Sequence, residues 1–124
     1  MENKARSRLN GMLGFAMRAG KVVIGTELVC TAMSRRGKDR ARLALISCTA
    51  SEATRNKIIH KGEFYGVETI VIDIDQDELG RLLGRLYAPS AVAITDDRFA
   101  EEIRLASGKI SNNKEREFPS GNGE

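Results

Sequence analysis

The fold is decided by the stretch from residue 17 to residue 36, which reads MRAGKVVIGTELVCTAMSRR. Residues 22–24 form a short β-branched run that is typical of a strand, and this run ends at Gly25. Thr26 can cap a helix that begins at residue 27 and continues to about residue 36. The stretch therefore predicts a strand that is followed at once by a helix.

The same alternation repeats on both sides of this stretch. Apolar residues at helical spacing predict a first helix over residues 4–19. Three more strands are predicted, each followed by a helix with a capping residue: residues 43–46 with Ser51, residues 68–72 with Asp75, and residues 91–94 with Thr95 or Asp96. Because strands that alternate with helices are usually buried on both faces, we expect an α/β fold. Its predicted form is a three-layer α/β/α sandwich with about four strands and five helices, around a mainly parallel or mixed sheet.

Glycines and leucines suggest where two of these helices end. The helix capped by Ser51 is expected to end near Gly62. In the helix capped by Asp75, Glu78 stands where a capping box has its acidic residue, and the leucines run as far as Leu86. We therefore expect that helix to include Leu86.

Length and composition are those of one domain. The chain has 124 residues, and no apolar run approaches the roughly 20 residues that cross a bilayer. We expect one folded domain over residues 1–107, a disordered tail over residues 108–124, no membrane association and a cytoplasmic location.

The residue types that usually hold metals are scarce. The chain has two cysteines and one histidine, Cys30, Cys48 and His60, which are too few for a structural zinc site without several carboxylates. Both cysteines lie in apolar segments and are expected to be reduced core residues, whereas His60 is expected at the surface or its boundary. Motifs for a nucleophile, a phosphate loop or a dinucleotide are absent from the sequence. We therefore expect no enzyme activity, no cofactor and no metal.

Charge is distributed unevenly along the chain. Residues 1–62 contain thirteen Lys and Arg against four Asp and Glu, whereas residues 63–124 contain seven against thirteen. This split favours a basic face directed at a polyanion, and the alternative is a scatter of solvated charges. Aromatic residues are few, and the Phe residues are spaced like core positions, so base stacking would contribute little.

Cations surround the strand–helix junction in the sequence. Arg18 and Lys21 bracket Gly20 before the strand, and Arg35 and Arg36 begin a basic segment after the helix. Glycine at residue 25 permits close approach to the backbone, and a helix N-terminus can receive phosphate or base acceptors. The junction is thus a candidate nucleic-acid site, with a solvated loop as the alternative.

Several short motifs, in order, resemble one protein family. They are Met17 to Lys21, Gly25-Thr26-Glu27, Leu43 to Ser47 followed by Ala50-Ser51, Glu63 to Val67, Leu79-Gly80 with Gly84, and Ala91 to Asp96. Together they resemble the kink-turn-binding ribosomal proteins of the L7Ae and L30e group, and most of all its bacterial YlxQ-like branch. The resemblance covers about residues 8–105 and implies an α/β/α sandwich that binds structured RNA, ribosomal or small non-coding.

The resemblance also implies which residues bind RNA. In the family, the start of the second helix enters the groove beside sheared G·A pairs, and an apolar loop before the last strand contacts an extruded base. Strong kink-turn binders carry Asn, Glu and Lys where this chain has Glu27, Leu28 and Thr31. The candidate RNA-binding residues, including cations expected to contact phosphates, are Arg18, Lys21, Gly25, Thr26, Glu27, Leu28, Thr31, Arg35, Arg36, Ser51, Arg55, Tyr87, Ala88, Pro89 and Ser90.

Two other functions stay open at this stage. The three departures from the kink-turn signature suit a protein-interaction module that kept the fold and lost tight RNA binding, with ribosomal or other RNA-associated proteins as partners. A weaker alternative is a substrate-binding domain like those attached to RNA ribose methyltransferases.

Overall fold

The structure of the protein is a computed structural model that describes residues 2–107. Its elements follow the predicted alternation: α1 (Glu2–Arg18), β1 (Val22–Ile24), α2 (Thr26–Ser34), a 3-10 turn (Gly37–Asp39), β2 (Leu43–Ser47), α3 (Glu52–Tyr65), β3 (Glu68–Ile72), α4 (Gln76–Leu82) and β4 (Ala91–Ile94). A last helix, α5, includes residues 97–107. The predicted tail over residues 108–124 lies outside the described residues.

The four strands form one mixed sheet in the order β1-β4-β2-β3. β4 is antiparallel to both of its neighbours, with Ile94 opposite Val22 on one side and opposite Leu43 on the other. β2 and β3 are parallel, with Leu43 opposite Glu68. The last strand of the sequence is therefore inserted between the first and the second, which confirms the predicted mixed sheet.

Alternating side chains of the central strands fill two separate cores. In β4, Val92 and Ile94 face a core that also contains residues of α1, α4 and α5. Ala91 and Ala93 face the opposite core, where the small side chains let α2 and α3 lie against the sheet. Helices therefore cover both faces, which confirms the three-layer α/β/α sandwich.

Polar caps begin most of the helices as predicted. Ser51 accepts a hydrogen bond from the Thr54 N–H, and Asp75 accepts one from the Glu78 N–H. Asp96, rather than Thr95, accepts the corresponding bond from the Phe99 N–H at the start of α5. The prediction for Thr26 was wrong, because Gly25 is the N-cap residue of α2 and no side chain caps that helix.

Three predicted helix ends were also wrong. α2 ends at Ser34, since Arg35 already has extended backbone. α3 continues past Gly62 to Tyr65 and is ended by left-handed Gly66. α4 stops at Leu82, which leaves Leu86 outside the helix and fully exposed.

Two predictions about the core were wrong as well. Cys30 is buried as expected, but Cys48 lies on the exposed loop after β2. Phe15 and Phe64 are exposed at the surface of α1 and α3 instead of filling core positions. His60 is exposed, as predicted.

Gly62 is required by close packing of α3 against the sheet. A Cβ at residue 62 would lie 2.6 Å from the Val67 carbonyl oxygen and 2.7 Å from Thr69 Cγ2. Gly62→Ala should therefore lower the free energy of unfolding by about 1 to 3 kcal/mol, measured by urea denaturation. Gly11→Ala is the matched control in α1, where a Cβ would meet no atom within 4 Å. That change should stabilise the protein by up to about 1 kcal/mol, and equal effects at the two positions would contradict the packing argument.

Candidate nucleic-acid interface

One edge of the sheet brings together most of the predicted site. β1, β2 and β3 end there and β4 begins there, as their pairing requires. The starts of α2, α3 and α4 consequently lie along this edge, beside the loop that precedes β4. We call it the junction edge and define it by residues 25–28, 47–51, 75–76 and 87–90.

The start of α2 presents backbone donors. Gly25 has φ 104° and ψ 146°, a conformation that favours glycine, and its N–H donates to the Ala91 carbonyl at 2.9 Å. The Val29 N–H makes the first intrahelical bond to the Gly25 carbonyl. The N–H groups of the first turn have no intrahelical partner, and no side chain among residues 2–107 caps them. Exposed Glu27 and Leu28 flank these donors.

The loop before β4 is held by polar contacts to the start of α4. Gln76 Nε2 donates to the Ala88 carbonyl at 3.3 Å and to Ser90 Oγ at 3.0 Å. The Gln76 N–H donates to Thr49 Oγ1 at 3.0 Å, which ties in the loop after β2. Tyr87 and Ala88 are exposed, but Pro89 is buried, so only part of the predicted apolar loop can contact a ligand.

Gly80 lets this loop lie directly on α4. A Cβ at residue 80 would come within 2.5 Å of the Tyr87 carbonyl oxygen and 3.4 Å of Pro89 Cδ. The loop is therefore held by its close contact with α4 at Gly80 and by the hydrogen bonds from Gln76. A surface held in this way is ready to bind without a large rearrangement.

An ion pair between two helices lies beside the start of α2. Lys57 Nζ on α3 contacts Glu27 Oε2 at 2.8 Å. The hydrogen bond from Lys57 and its positive charge lower the pKa of Glu27, and the same contact raises the pKa of Lys57. The Glu27 carboxylate is thus matched with a cation from the neighbouring helix.

Lys57 and Lys61 were missed by the sequence reasoning. They stand four residues apart, on one face of α3, and both favour the charged form of Glu27 and so lower its pKa. Burial, the largest cause, raises the pKa of the nearby Cys30 thiol, and the two lysines oppose that change. Thr31 is exposed and supplies no charge, so these lysines are the cations beside the outer surface of α2. The signal in the sequence was the spacing of four residues between Lys57 and Lys61, which places two cations on one face of a predicted helix.

The predicted cations do not form a single group. Arg55 is in the first turn of α3, at the junction edge. Arg18 ends α1 and lies 4.9 Å over the Phe15 ring, and Lys21 precedes β1. Arg35 and Arg36 follow α2. These last four lie toward the opposite edge of the sheet, so the cations that bracket the junction in sequence are separated from the start of α2 in space.

Comparison with known proteins identifies the family. Residues 7–104 match the model of the Ribosomal protein L7Ae/L30e/S12e/Gadd45 family. The chain belongs to this family. It is 36% identical over 92 residues to the RNA-binding protein YlxQ of Bacillus subtilis (strain 168), covering 74% of this chain and 87% of that protein. It is 28% identical over 105 residues to the RNA-binding protein YlxQ of Enterococcus faecium, covering 84% and 95%. The YlxQ-like branch of the prediction is thereby confirmed.

Solved structures share the fold. A Bacillus halodurans protein of unknown function superposes with a TM-score of 0.72 and 23% identity, covering 80% of this chain and 95% of that one. The Giardia lamblia 15.5kD RNA binding protein superposes with a TM-score of 0.65 and 18% identity, covering 88% and 89%. At these identities the likeness establishes the architecture.

Residues 2–107 contain neither a cluster of metal ligands nor a membrane-spanning helix. Within residues 2–107, no group of three His, Cys, Asp or Glu side chains is arranged to hold a metal ion. In the same range, no helix is long and apolar enough to span a membrane.

The Glu27–Lys57 pair can be tested by its pH dependence. Folding lowers the pKa of Glu27 below its usual 4.5. The stabilisation by the ion pair is therefore present above pH 4.5 and is lost as the pH falls through the lowered pKa of Glu27. Lys57→Met should return the pKa of Glu27 toward 4.5, measured by carboxyl-carbon NMR. Lys61→Met is the control and should have a smaller effect, since Lys61 acts only through its charge. An unchanged Glu27 titration in Lys57→Met would contradict the ion pair.

Proposed function

We propose that the protein is a non-enzymatic, cytoplasmic RNA-binding protein that binds structured, kink-turn-like RNA through the junction edge. The observation that carries this proposal is the start of α2, whose first-turn donors have no side-chain cap and lie beside the positioned loop of residues 87–90. The relatives named RNA-binding protein YlxQ add support, since this chain shares their family and covers most of their length. No cofactor or metal is part of the proposal.

Each part of the junction edge suits a different part of the RNA. The N–H groups after Gly25 suit base-edge or phosphate acceptors, because glycine permits close approach and the helix dipole favours negative charge. Leu28 is 55% exposed and Tyr87 57% exposed, so they offer apolar surface to an extruded base. Arg55 and Lys61 stand on α3 as donors to phosphates, whereas Lys57 is paired with Glu27.

Acidic residues limit where RNA can approach. Asp73, Asp75 and Asp77 surround the start of α4, and Asp73 is paired with Arg6 at 2.7 Å. Phosphates would be repelled from this side of the junction edge. In the proposed complex, the RNA backbone therefore follows α2 and α3, and only the extruded base reaches the loop of residues 87–90.

A protein-interaction module is the second candidate function. Leu28 and Tyr87 of the junction edge are exposed, and fully exposed Leu86 adjoins Tyr87, so three large apolar side chains stand at or beside this edge. Such residues commonly anchor protein partners. An RNA-associated protein would then take the place of the extruded base on this surface.

Titration with two RNAs tests the proposed function. The first RNA contains a kink-turn, and the second is the same molecule with its sheared G·A pairs changed to Watson–Crick pairs. The protein should bind the first more tightly, and both affinities should fall with salt at a log-log slope of about −0.7 to −0.9 per phosphate neutralised. Equal affinity for the two RNAs at every salt concentration would contradict recognition of the bend. No binding at about 50 mM salt would favour the protein-interaction alternative.

Restoring the family's side chains should strengthen kink-turn binding. The triple variant Glu27→Asn, Leu28→Glu and Thr31→Lys adds base-edge contacts of about 1 to 3 kcal/mol each, so affinity should rise at least about tenfold. All three positions are exposed, and circular dichroism should show an unchanged fold. The single variant Ser34→Lys is the control, because it adds the same net charge as the triple variant but places it near the other end of α2. If that control gains as much, charge alone explains the effect and α2 does not enter the groove.

A further inference from the structure

The segment after α2 forms a basic surface that the junction edge does not use. Arg35, Arg36 and Lys38 are exposed, and none of them is in an ion pair with any residue of the part of the chain that the structure describes. The only acid between residues 35 and 42 is Asp39. We call Arg35, Arg36 and Lys38 the distal surface.

The distal surface lies at the opposite end of α2 from the junction edge. α2 has nine residues, which at 1.5 Å per residue separates its ends by about 13 Å. The Debye length at physiological salt is about 8 Å, so each end acts on phosphates largely independently of the other. An RNA bend that contacts only the start of α2 would leave the distal cations free, whereas an RNA that also contacted them would have to extend about 13 Å along α2.

Backbone contacts hold the segment of the distal surface in place. The Arg40 guanidinium donates to the Tyr65 carbonyl, and Arg42 Nη2 donates to the Gly37 carbonyl at 3.1 Å. The Ala41 N–H donates to the Ala32 carbonyl at 2.9 Å, which fixes the segment to the end of α2. Arg40 and Arg42 thus anchor the segment. The other three cations, Arg35, Arg36 and Lys38, are exposed to solvent.

The chemistry of the distal surface suits a phosphate backbone rather than a protein. Between residues 34 and 42 the one hydrophobic residue is Ala41, and it is buried. Protein interfaces use Arg together with buried aromatic or apolar anchors, and this segment has no such anchor. Phosphate contacts need only Arg, Lys and backbone donors, and they carry no base specificity.

We propose that the distal surface is a second RNA-binding site, which binds the backbone of a double-stranded segment without sequence preference. Lys21 lies at the same end of the sheet, across β4 from Arg42, where the Thr95 N–H donates to the Lys21 carbonyl and the Arg42 N–H donates to the Ile94 carbonyl. It can extend the contact along the duplex. Together with the proposed interface at the junction edge, the distal surface lets one chain hold two RNA segments about one α2 length apart.

A bridging experiment tests this proposal. A kink-turn RNA is immobilised and saturated with the full-length protein, and a labelled plain duplex is then added in solution. The parent should recruit the duplex. The double variant Arg35→Gln, Arg36→Gln should weaken recruitment about tenfold and reduce the salt slope of duplex binding by about 1 to 2, while its affinity for the kink-turn RNA changes less than about twofold.

A matched control removes the same charge elsewhere. Arg8→Gln, Arg104→Gln takes two cations from α1 and α5, where both are paired with acids, and should leave recruitment unchanged. Equal losses in the two double variants would overturn the proposal, and so would parallel losses of kink-turn and duplex binding in Arg35→Gln, Arg36→Gln. Failure of the proposed function looks different, because the parent would then not bind kink-turn RNA. A direct duplex titration that still separates the two double variants would in that case support the distal surface.

Discussion

The arrangement of the whole molecule depends on β4, which pairs with β1 on one side and with β2 on the other. Its four residues are fully buried, so both faces of the strand must be covered by helices. Because β4 is antiparallel to both neighbours, its first residue lies where β1 and β2 end. The hydrogen bond from the Gly25 N–H to the Ala91 carbonyl then joins the start of α2 to the loop before β4. The candidate interface is a direct consequence of this pairing.

The sequence predicted the strands and most of the caps because their signals are local. The β-branched run of residues 22–24 and the polar residues Ser51 and Asp75 act within a few residues of where they stand. Glycines were harder to interpret, since glycine has two uses. Gly66 ends α3 with a positive φ, whereas Gly62 is there for close packing, and only the neighbouring strand distinguishes the two cases.

The site was predicted less completely, because its parts come from distant positions. The start of α2 was predicted from its glycine and the cations around it, the loop of residues 87–90 was predicted from a resemblance, and the structure brings them to one edge. Lys57 was missed because it contacts Glu27 from thirty residues away, across a packing of two helices. Arg35 and Arg36 were grouped with Gly25 because they follow it closely in sequence, although a helix of nine residues carries them to the opposite end.

The Glu27–Lys57 pair explains how an acidic residue can stand in the proposed RNA interface. A carboxylate in the first turn of α2 stabilises the helix dipole, but it would also repel an approaching phosphate. Lys57 Nζ, 2.8 Å from that carboxylate, cancels its charge while leaving the backbone N–H groups of the first turn available. Since the charge of Glu27 is balanced, it no longer repels the RNA, and base edges can reach the backbone N–H groups of the first turn. In the proposed complex, the junction edge therefore distinguishes one RNA shape from another. The cations of the distal surface attract the phosphate backbone of any RNA.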